Sequence, residues 1–321
     1  MDGPILVGDV GGTHARFAVA DLSDSGAPIS GRQDLSDAEF TSFGDALSKY
    51  LDRAKLGRKP VAVAIAVAGP IVDRAVTMTN RGWKLSEDDL KKAGFEHALL
   101  INDFAALAFS APRLAAADFH TVGPDLSGTA DGPITILGAG TGFGVSCLAR
   151  YRGRAVPLAT EGGHIAFAPA DDEEIAVLKA LEQKFGRVSA ERILSGPGLE
   201  NLYGALAQIG GKGAEDLKAA DIQKQAEAGD DLARKALEMF CAIFGSVAGD
   251  FALAHGATGG VFIAGGIGPK IESFLQRGSF RARFEDKGRL GYFVKTIPTR
   301  LIVTADATFL GAAYAAREFV T

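Results

Sequence analysis

The chain has 321 residues, 47% of them hydrophobic and 23% charged, with a formal net charge of -5 and a pI near 5.6. A single core usually splits above roughly 250–300 residues, so two lobes are expected. No Lys/Arg block stands out, which argues against nucleic acid or an anionic membrane as a partner.

The opening MDGPILVGDVGG has neither a basic segment nor an unbroken apolar core, so no signal peptide is expected. Ile5–Val7 and Ala15–Ala20 read as two short strands with glycines between them, a hairpin. Phe43–Ala54 has helical spacing, and Val61–Val67 reads as a buried strand. The apolar run from Val61 to Val72 is broken by Gly69-Pro70 and falls short of the roughly 20 residues that span a membrane. Ser86 followed by Glu87, Asp88 and Asp89 marks a helix start, His97–Ile101 a strand, and Asp103–Ala111 a helix that stops at Pro112.

Ile134–Leu137 opens a second hairpin that returns through Val145–Ala149. LVGDVGGTHARFAV and ILGAGTGFGVSCLA share one plan, apolar strand, glycine-threonine turn, apolar strand, which suggests two lobes of similar topology. Glu173–Phe185 and Ala190–Leu194 read as helices, and Ser195-Gly-Pro-Gly as a fresh N-cap with proline in the first turn. Leu232–His255 is a long helix ended by the Gly256–Gly260 stretch. Val261–Ala264 is a strand, after which Gly265-Gly266-Ile267-Gly268-Pro269 leads into a helix; a strand at Leu301–Val303 and a short helix from Leu310 finish the chain. Alternating strands and helices define an α/β protein. Cys147 and Cys241 sit alone in apolar stretches, too few for a Cys-rich zinc site or a disulfide framework; they are expected to be buried and reduced, as in the cytoplasm.

Gly8-Asp9-Val10-Gly11-Gly12-Thr13 lies between two strands. Glycines let backbone N–H groups approach an anion, Thr13 adds a hydroxyl, and Asp9 adds a carboxylate that suits a metal ion through water. A tight hairpin with Asp9 as turn former explains the same residues equally well. The second loop, Gly138-Ala-Gly140-Thr141-Gly142-Phe-Gly144, has more glycine than a hairpin requires. It is not a dinucleotide fingerprint, because a strand follows it, and no Walker A or protein-kinase motif occurs. Asp103, after Asn102 at a strand end, is either an N-cap or a general base where α/β ligand sites cluster. Glu161-Gly162-Gly163-His164 sets an acid and an imidazole around two glycines, groups that suit sugar hydroxyls or merely a solvated turn. No second His or Cys stands near at ligand spacing, so no protein metal site is expected. Gly265-Gly266 resembles a nucleotide contact near a helix N-terminus, or a plain strand-to-helix turn.

Together LVGDVGGTHARFAVAD, MTNRGW, INDFAALA, GAGTGFGV, EGGHIAFAP, SAERILSGPGLENLY, GGVFIAGGI, FRARFEDKGR and LGAAYAAR resemble the bacterial glucokinase family of the non-ROK type, within the hexokinase and actin-like superfamily. The stretches run end to end in family order. The resemblance implies an α/β fold of two ribonuclease-H-like lobes with a cleft between them. The small lobe would be 1–111 joined by 305–321, the large lobe 112–304. It implies ATP-dependent phosphorylation of glucose, with Mg²⁺ carried by the nucleotide. Asp103 would be the general base on the 6-hydroxyl, with Asn80, Asn102, Glu161, His164 and Glu191 near the sugar. Gly8, Asp9, Gly11, Gly12, Thr13, Gly140, Thr141 and Gly142 would meet the nucleotide, chiefly its phosphates, and Gly265 and Gly266 would lie near adenosine. His14 stands where the family often has Asn, and the Cys-rich zinc motif of ROK kinases is missing.

Other readings remain. A kinase for another hexose or an amino sugar is the serious alternative, because carboxylates alone do not state which hydroxyls they read. A sugar-sensing repressor on this fold would need a helix-turn-helix before the first strand, and an NAD-dependent oxidoreductase a different loop context. A homodimer is expected only because closed two-fold dimers are the commonest assembly.

Overall fold

The computed structural model describes residues 3–11, 14–23, 28–54, 56, 60–78, 82–211, 213 and 216–319. The chain divides into two compact units, Met1–Ala115 with Thr304–Thr321, and Ala116–Val303. The division falls just beyond Pro112 because Arg113 holds that turn in the first unit. Its guanidinium lies 4.4 Å from the Tyr314 ring centroid and donates to the Phe109 carbonyl at 2.7 Å.

The first unit contains β1 (Pro4–Val10), β2 (His14–Asp21), β3 (Ile29–Ser36), α1 (Phe43–Ala54), β4 (Ala62–Val67), the small ribbon of β5 (Ala75–Thr77) and β6 (Lys84–Ser86), α2 (Glu87–Lys92), β7 (His97–Asn102) and α3 (Asp103–Ser110). Its main sheet runs β3-β2-β1-β4-β7, antiparallel across the β1–β2–β3 meander and parallel across β1, β4 and β7. Every residue of β4, AVAIAV, is buried, the pattern of a strand covered on both faces. One face packs on α1, where Phe43, Ala46, Leu47 and Tyr50 are buried against Phe17. The other face packs on α3 and the C-terminal helix Ala307–Phe319. Those two helices touch backbone to backbone: a Cβ at Gly311 would fall on the Ala106 carbonyl. At α2 the helix starts where the sequence predicts, and Ser86 and Asp89 form a capping box there.

The second unit contains β8 (Phe119–Thr121), β9 (Ile134–Ala139), β10 (Phe143–Tyr151), β11 (Arg154–Thr160), α4 (Asp172–Phe185), α5 (Gly196–Ile209), α6 (Ala219–Glu227), α7 (Asp231–His255), β12 (Gly260–Ala264) and β13 (Thr299–Ile302), with short helices between the last two. Its sheet runs β11-β10-β9-β12-β13-β8. From β11 to β13 the order and directions repeat those of the first sheet: an antiparallel meander on one side of the first strand, parallel strands on the other. The two glycine-threonine hairpins of the sequence thus occupy equivalent places. Cys147 and Cys241 are free and buried, and burial pushes the Cys241 thiol up to about 12. Helix α7 is long and apolar enough to cross a membrane, yet 72% of its most apolar window is buried in the protein, as a core helix requires.

Three predicted elements change. Ala190–Leu194 is not a helix but one 3-10 turn, Ala190–Arg192, because Ser195 is extended and caps α5, leaving room for a single turn. After Gly266 the chain makes a 3-10 turn, Gly268–Ile271, and a four-residue helix, Glu272–Leu275. The final helix begins at Ala307 rather than Leu310. The strands β3 and β11 escape sequence reading because both are edge strands: β3 is mostly polar, and the apolar stretch of β11 is interrupted by Pro157, which demotes a strand.

His255, in the last turn of α7, lies with Nδ1 2.8 Å from the Thr135 hydroxyl of β9. Burial lowers its pKa. The unfolded chain therefore takes up the proton first as pH falls, so this contribution to stability is complete above the unfolded value of about 6.5 and is lost below it. Thermal melts at about pH 7.5 and about pH 5.5 should show a larger drop for the natural protein than for His255→Gln. Parallel drops would show that His255 is not the titrating group.

Candidate functional site

In the first unit the parallel strands β1, β4 and β7 end together: Val10 is in register with Val67, and Val67 with Asn102. Ligands of open α/β sheets sit at such carboxyl ends. Gly11 follows β1, and Asp103 follows β7. With β4 between, Val10 and Asn102 stand two strand spacings apart, about 10 Å. The Gly11 N–H donates to the His14 carbonyl at 3.1 Å, closing the hairpin.

The helix cap belongs to Asn102, not Asp103. Asn102 is extended, and its Oδ1 accepts from the Ala105 N–H at 3.1 Å. Asp103 is the first helical residue, half-buried, with Oδ1 accepting from the Phe104 N–H at 2.9 Å. The capping duty thus falls on the amide oxygen of Asn102, whose Nδ2 group remains as a donor.

Gly8 requires a correction. It is buried inside β1, and a Cβ there would lie 2.6 Å from Ile65 Cδ1 and 3.3 Å from Phe17. Packing between strands, rather than an approaching anion, explains this glycine. At Gly11 a Cβ would meet nothing closer than 3.9 Å, so packing does not account for that one. Asp9 is directly opposite Arg16 in the β1–β2 ladder, and Arg16 is opposite Asp34 in the β2–β3 ladder. Arg16 Nη1 donates to Asp9 Oδ2 at 3.1 Å, and Arg16 Nε lies 3.8 Å from Asp34. Arg32 extends the row, meeting Asp34 at 3.1 Å and Asp306 at 3.4 Å. Burial raises the pKa of Asp9, and the Arg16 guanidinium opposes that rise. Gly12, Thr13 and Asn80 lie outside the described residues.

In the second unit the structure brings most of the expected residues together. A Cβ at Gly138 would fall on the Ala264 carbonyl, one at Gly265 on the Ala139 carbonyl, and one at Gly163 on the Phe143 carbonyl. Backbone therefore lies on backbone at the carboxyl ends of β9 and β12 and at the start of β10. Gly265 needs its glycine twice, since its φ is +81°. The Gly265-Gly266 turn is exposed beside the Gly140–Gly142 loop, and the Ile267 N–H donates to the Ala139 carbonyl at 3.1 Å. The helix N-terminus expected there is only a 3-10 turn and one helical turn, too little for a dipole argument.

Gly162 and Gly163 lie in a 3-10 turn seated on β10, with a Gly162 Cβ 2.8 Å from both Val145 and Phe251. The flanking Glu161 and His164 side chains are exposed. The Ala190 N–H donates to the Ile165 carbonyl at 2.9 Å, which ties the Glu191 segment to this turn. Glu191 is half-buried, and its Oε2 accepts from the Phe143 N–H at 2.9 Å. The Gly196 N–H donates to the Gly140 carbonyl at 2.8 Å. Thr141 is exposed at the loop tip. Exposed carboxylate and imidazole beside an amide-rich loop suit hydroxyl and phosphate groups.

Sequence reading missed Arg16 as the partner of Asp9. The signal was available: residues 9 and 16 stand symmetrically within a stretch read as a hairpin, and a hairpin sets such residues side by side.

The comparisons with known proteins agree along the whole chain. A sequence model of the glucokinase family matches residues 6–319. The glucokinase of Caulobacter sp. (strain K31) is 50% identical over 97% of this chain and 94% of its own length, and that of Nitrobacter hamburgensis is 43% identical over 96% and 95%. The crystal structure of a glucokinase from an Antarctic psychrotroph superposes with a TM-score of 0.90 at 37% identity, covering 99% of this chain and 100% of that one. A ROK family glucokinase from Streptomyces griseus, in complex with glucose and AMPPNP, gives a TM-score of 0.65 at 20% identity over 98% and 100%, a likeness of fold. The fold is the mixed α/β fold of sugar kinases. Within that class the chain belongs to the glucokinase family.

Replacing Gly163 tests the close packing beneath the expected sugar residues. Overpacking typically costs about 1–3 kcal/mol, and a carbonyl already held at a strand end yields little, so Gly163→Ala should lose about 3 kcal/mol. For a chain of 321 residues that is a melting-point fall of roughly 4–5 °C, read by calorimetry. An unchanged melting point would show that the turn does not rest on β10.

Proposed function

We propose that the protein transfers the γ-phosphoryl group of ATP to the 6-hydroxyl of glucose, giving glucose 6-phosphate and ADP. The observation that carries this reading is the glucokinase-family match across residues 6–319. Two ribonuclease-H-like modules are part of the same reading, supported by the strand order common to both sheets. A cytoplasmic setting is supported by the two free thiols.

Phosphoryl transfer passes through a loose transition state, so the protein's work is positioning and charge stabilisation. Asp103 accepts the proton of the 6-hydroxyl as its oxygen bonds to phosphorus and the bond to the departing ADP oxygen breaks. Because Asn102 caps α3, the Asp103 carboxylate is spared that duty. Asn102 Nδ2, Glu161, His164 and Glu191 hold the remaining hydroxyls, and Asn80 lies near the sugar. Gly11, Gly12, Thr13, Gly140, Thr141 and Gly142 meet phosphate oxygens with backbone N–H groups and hydroxyls, while Gly265 and Gly266 approach adenosine. Asp9 suits Mg²⁺, which prefers one or two carboxylates plus phosphate oxygens. Arg16 occupies its Oδ2 and leaves Oδ1 to be offered. When bound with the nucleotide, that ion neutralises phosphate charge.

A coupled assay with ATP, Mg²⁺ and a panel of hexoses checks the substrate. Glucose should turn over fastest, with mannose and fructose much slower. Equal or better turnover of fructose or N-acetylmannosamine would move the protein to another sugar.

Asp103→Asn checks the base. The fold should persist, since the cap is on the neighbouring residue, and the KM for glucose should stay within a few-fold. The kcat should fall by about 10²–10⁴-fold, the usual contribution of a general base. A variant with near-natural kcat would place the base elsewhere.

A further inference from the structure

Two segments given separate duties above, Glu191 for the sugar and the Gly140–Gly142 loop for phosphate, are joined by direct hydrogen bonds. We propose that Glu191 is also a positioning residue for the phosphate loop, so that sugar and nucleotide affinities are coupled through its carboxylate. The proposal rests on the glucokinase reading, which supplies the two ligands.

The geometry leaves little freedom. Glu191 Oε2 accepts from the Phe143 N–H at 2.9 Å, the amide that follows Gly142 and begins β10. A Cβ on Gly142 would come 2.6 Å from that same oxygen and 3.4 Å from the carboxyl carbon. The loop's other side is held by the same segment, since the Gly196 N–H donates to the Gly140 carbonyl at 2.8 Å. The segment closes on itself, because the Ser195 hydroxyl donates to the Glu191 carbonyl at 2.8 Å and accepts from the Gly198 N–H at 3.0 Å. The AERILSGPG stretch is thus a strap beneath the loop, and Glu191 is its only side chain bonded to the loop among the described residues.

One carboxylate oxygen therefore faces the loop, while the other, Oε1, is left for a sugar hydroxyl. A sugar bound there fixes the carboxylate plane, and a fixed carboxylate fixes the Phe143 amide and with it Gly140–Gly142. A loop already ordered loses less freedom when it takes up phosphate. By linkage the nucleotide must then tighten the sugar by the same factor. The glycine at 142 follows from this contact: any side chain there would push the carboxylate away.

Calorimetric titrations with glucose and with a non-hydrolysable ATP analogue, each alone and each with the other saturating, test the proposal. In the natural protein each ligand should tighten the other by the same factor. Gly142→Ala, a change in the phosphate loop, should weaken glucose about tenfold with no nucleotide present, the loss expected for a displaced charge-assisted hydrogen bond. Glu191→Ala should weaken the analogue several-fold with no sugar present. Glu191→Gln keeps an oxygen for the Phe143 amide, so it should restore analogue affinity while glucose remains weak. A glucose affinity within twofold of natural in Gly142→Ala overturns the coupling, as does an unchanged analogue affinity in Glu191→Ala. If Gly142→Ala does not fold, the two Glu191 variants decide alone. Failure of the natural protein to bind glucose at all would sink the glucokinase reading instead.

Discussion

Close approach of backbone to backbone at the strand ends of the second unit is the constraint on which that site depends. Gly138 lies on the Ala264 carbonyl, Gly265 on the Ala139 carbonyl and Gly163 on the Phe143 carbonyl. No side chain fits in these gaps, so the hairpin loop, the Gly265-Gly266 turn and the Glu161–His164 turn are held against the sheet by main chain. Atoms packed at such density resist displacement. The side chains around them, Glu161, His164 and Thr141, are consequently not spent on packing and face solvent. A site that must meet a polyanion and a polyol needs this division, with rigid amides below and unengaged polar groups above.

The first unit orders its polar groups by another means. Asp9, Arg16, Asp34 and Arg32 alternate in charge across three neighbouring strands, and the row ends on Asp306 beside the C-terminal helix. Apart from Asp9 these side chains are substantially exposed, so solvent screens most of the attraction and their main effect is on direction rather than stability. Arg16 fixes which oxygen of Asp9 is engaged. At the other parallel strand end the duties divide in a similar way: Asn102 takes the cap, and Asp103 accepts only from the adjacent Phe104 amide within the helix start.

Much of this was legible in the residues. Both hairpins, the buried strand at 62–67, the helix start at Ser86, the N-cap at Ser195 and the long helix through Phe251 follow from apolar periodicity and cap chemistry. The candidate site was legible as motifs but not as an arrangement. EGGH shows an acid, an imidazole and two glycines, yet not that both glycines rest on β10. Glu191 carried little signal, because its importance is a bond to an amide 48 residues earlier. Gly8 and Gly11 look alike in GDVGG, and only their neighbours separate a packing glycine from one with open space around it. The edge strands β3 and β11 were invisible for a related reason: pairing with one neighbour makes them strands, while about half or more of their residues are exposed.

The sequence by itself determined the α/β class, the doubled hairpin plan and the family, because each is written in local spacing and in motifs a few residues long. Tertiary structure alone decided the seat of the Gly140–Gly142 loop on the Glu191 strap, the packing role of Gly8 and the shortening of the predicted helix at Ala190–Leu194. The physical reason is the range of the interactions. Periodicity, capping and turn chemistry act over a few residues, whereas a hydrogen bond to a distant amide or a carbonyl beneath a glycine exists only once the chain has folded back on itself.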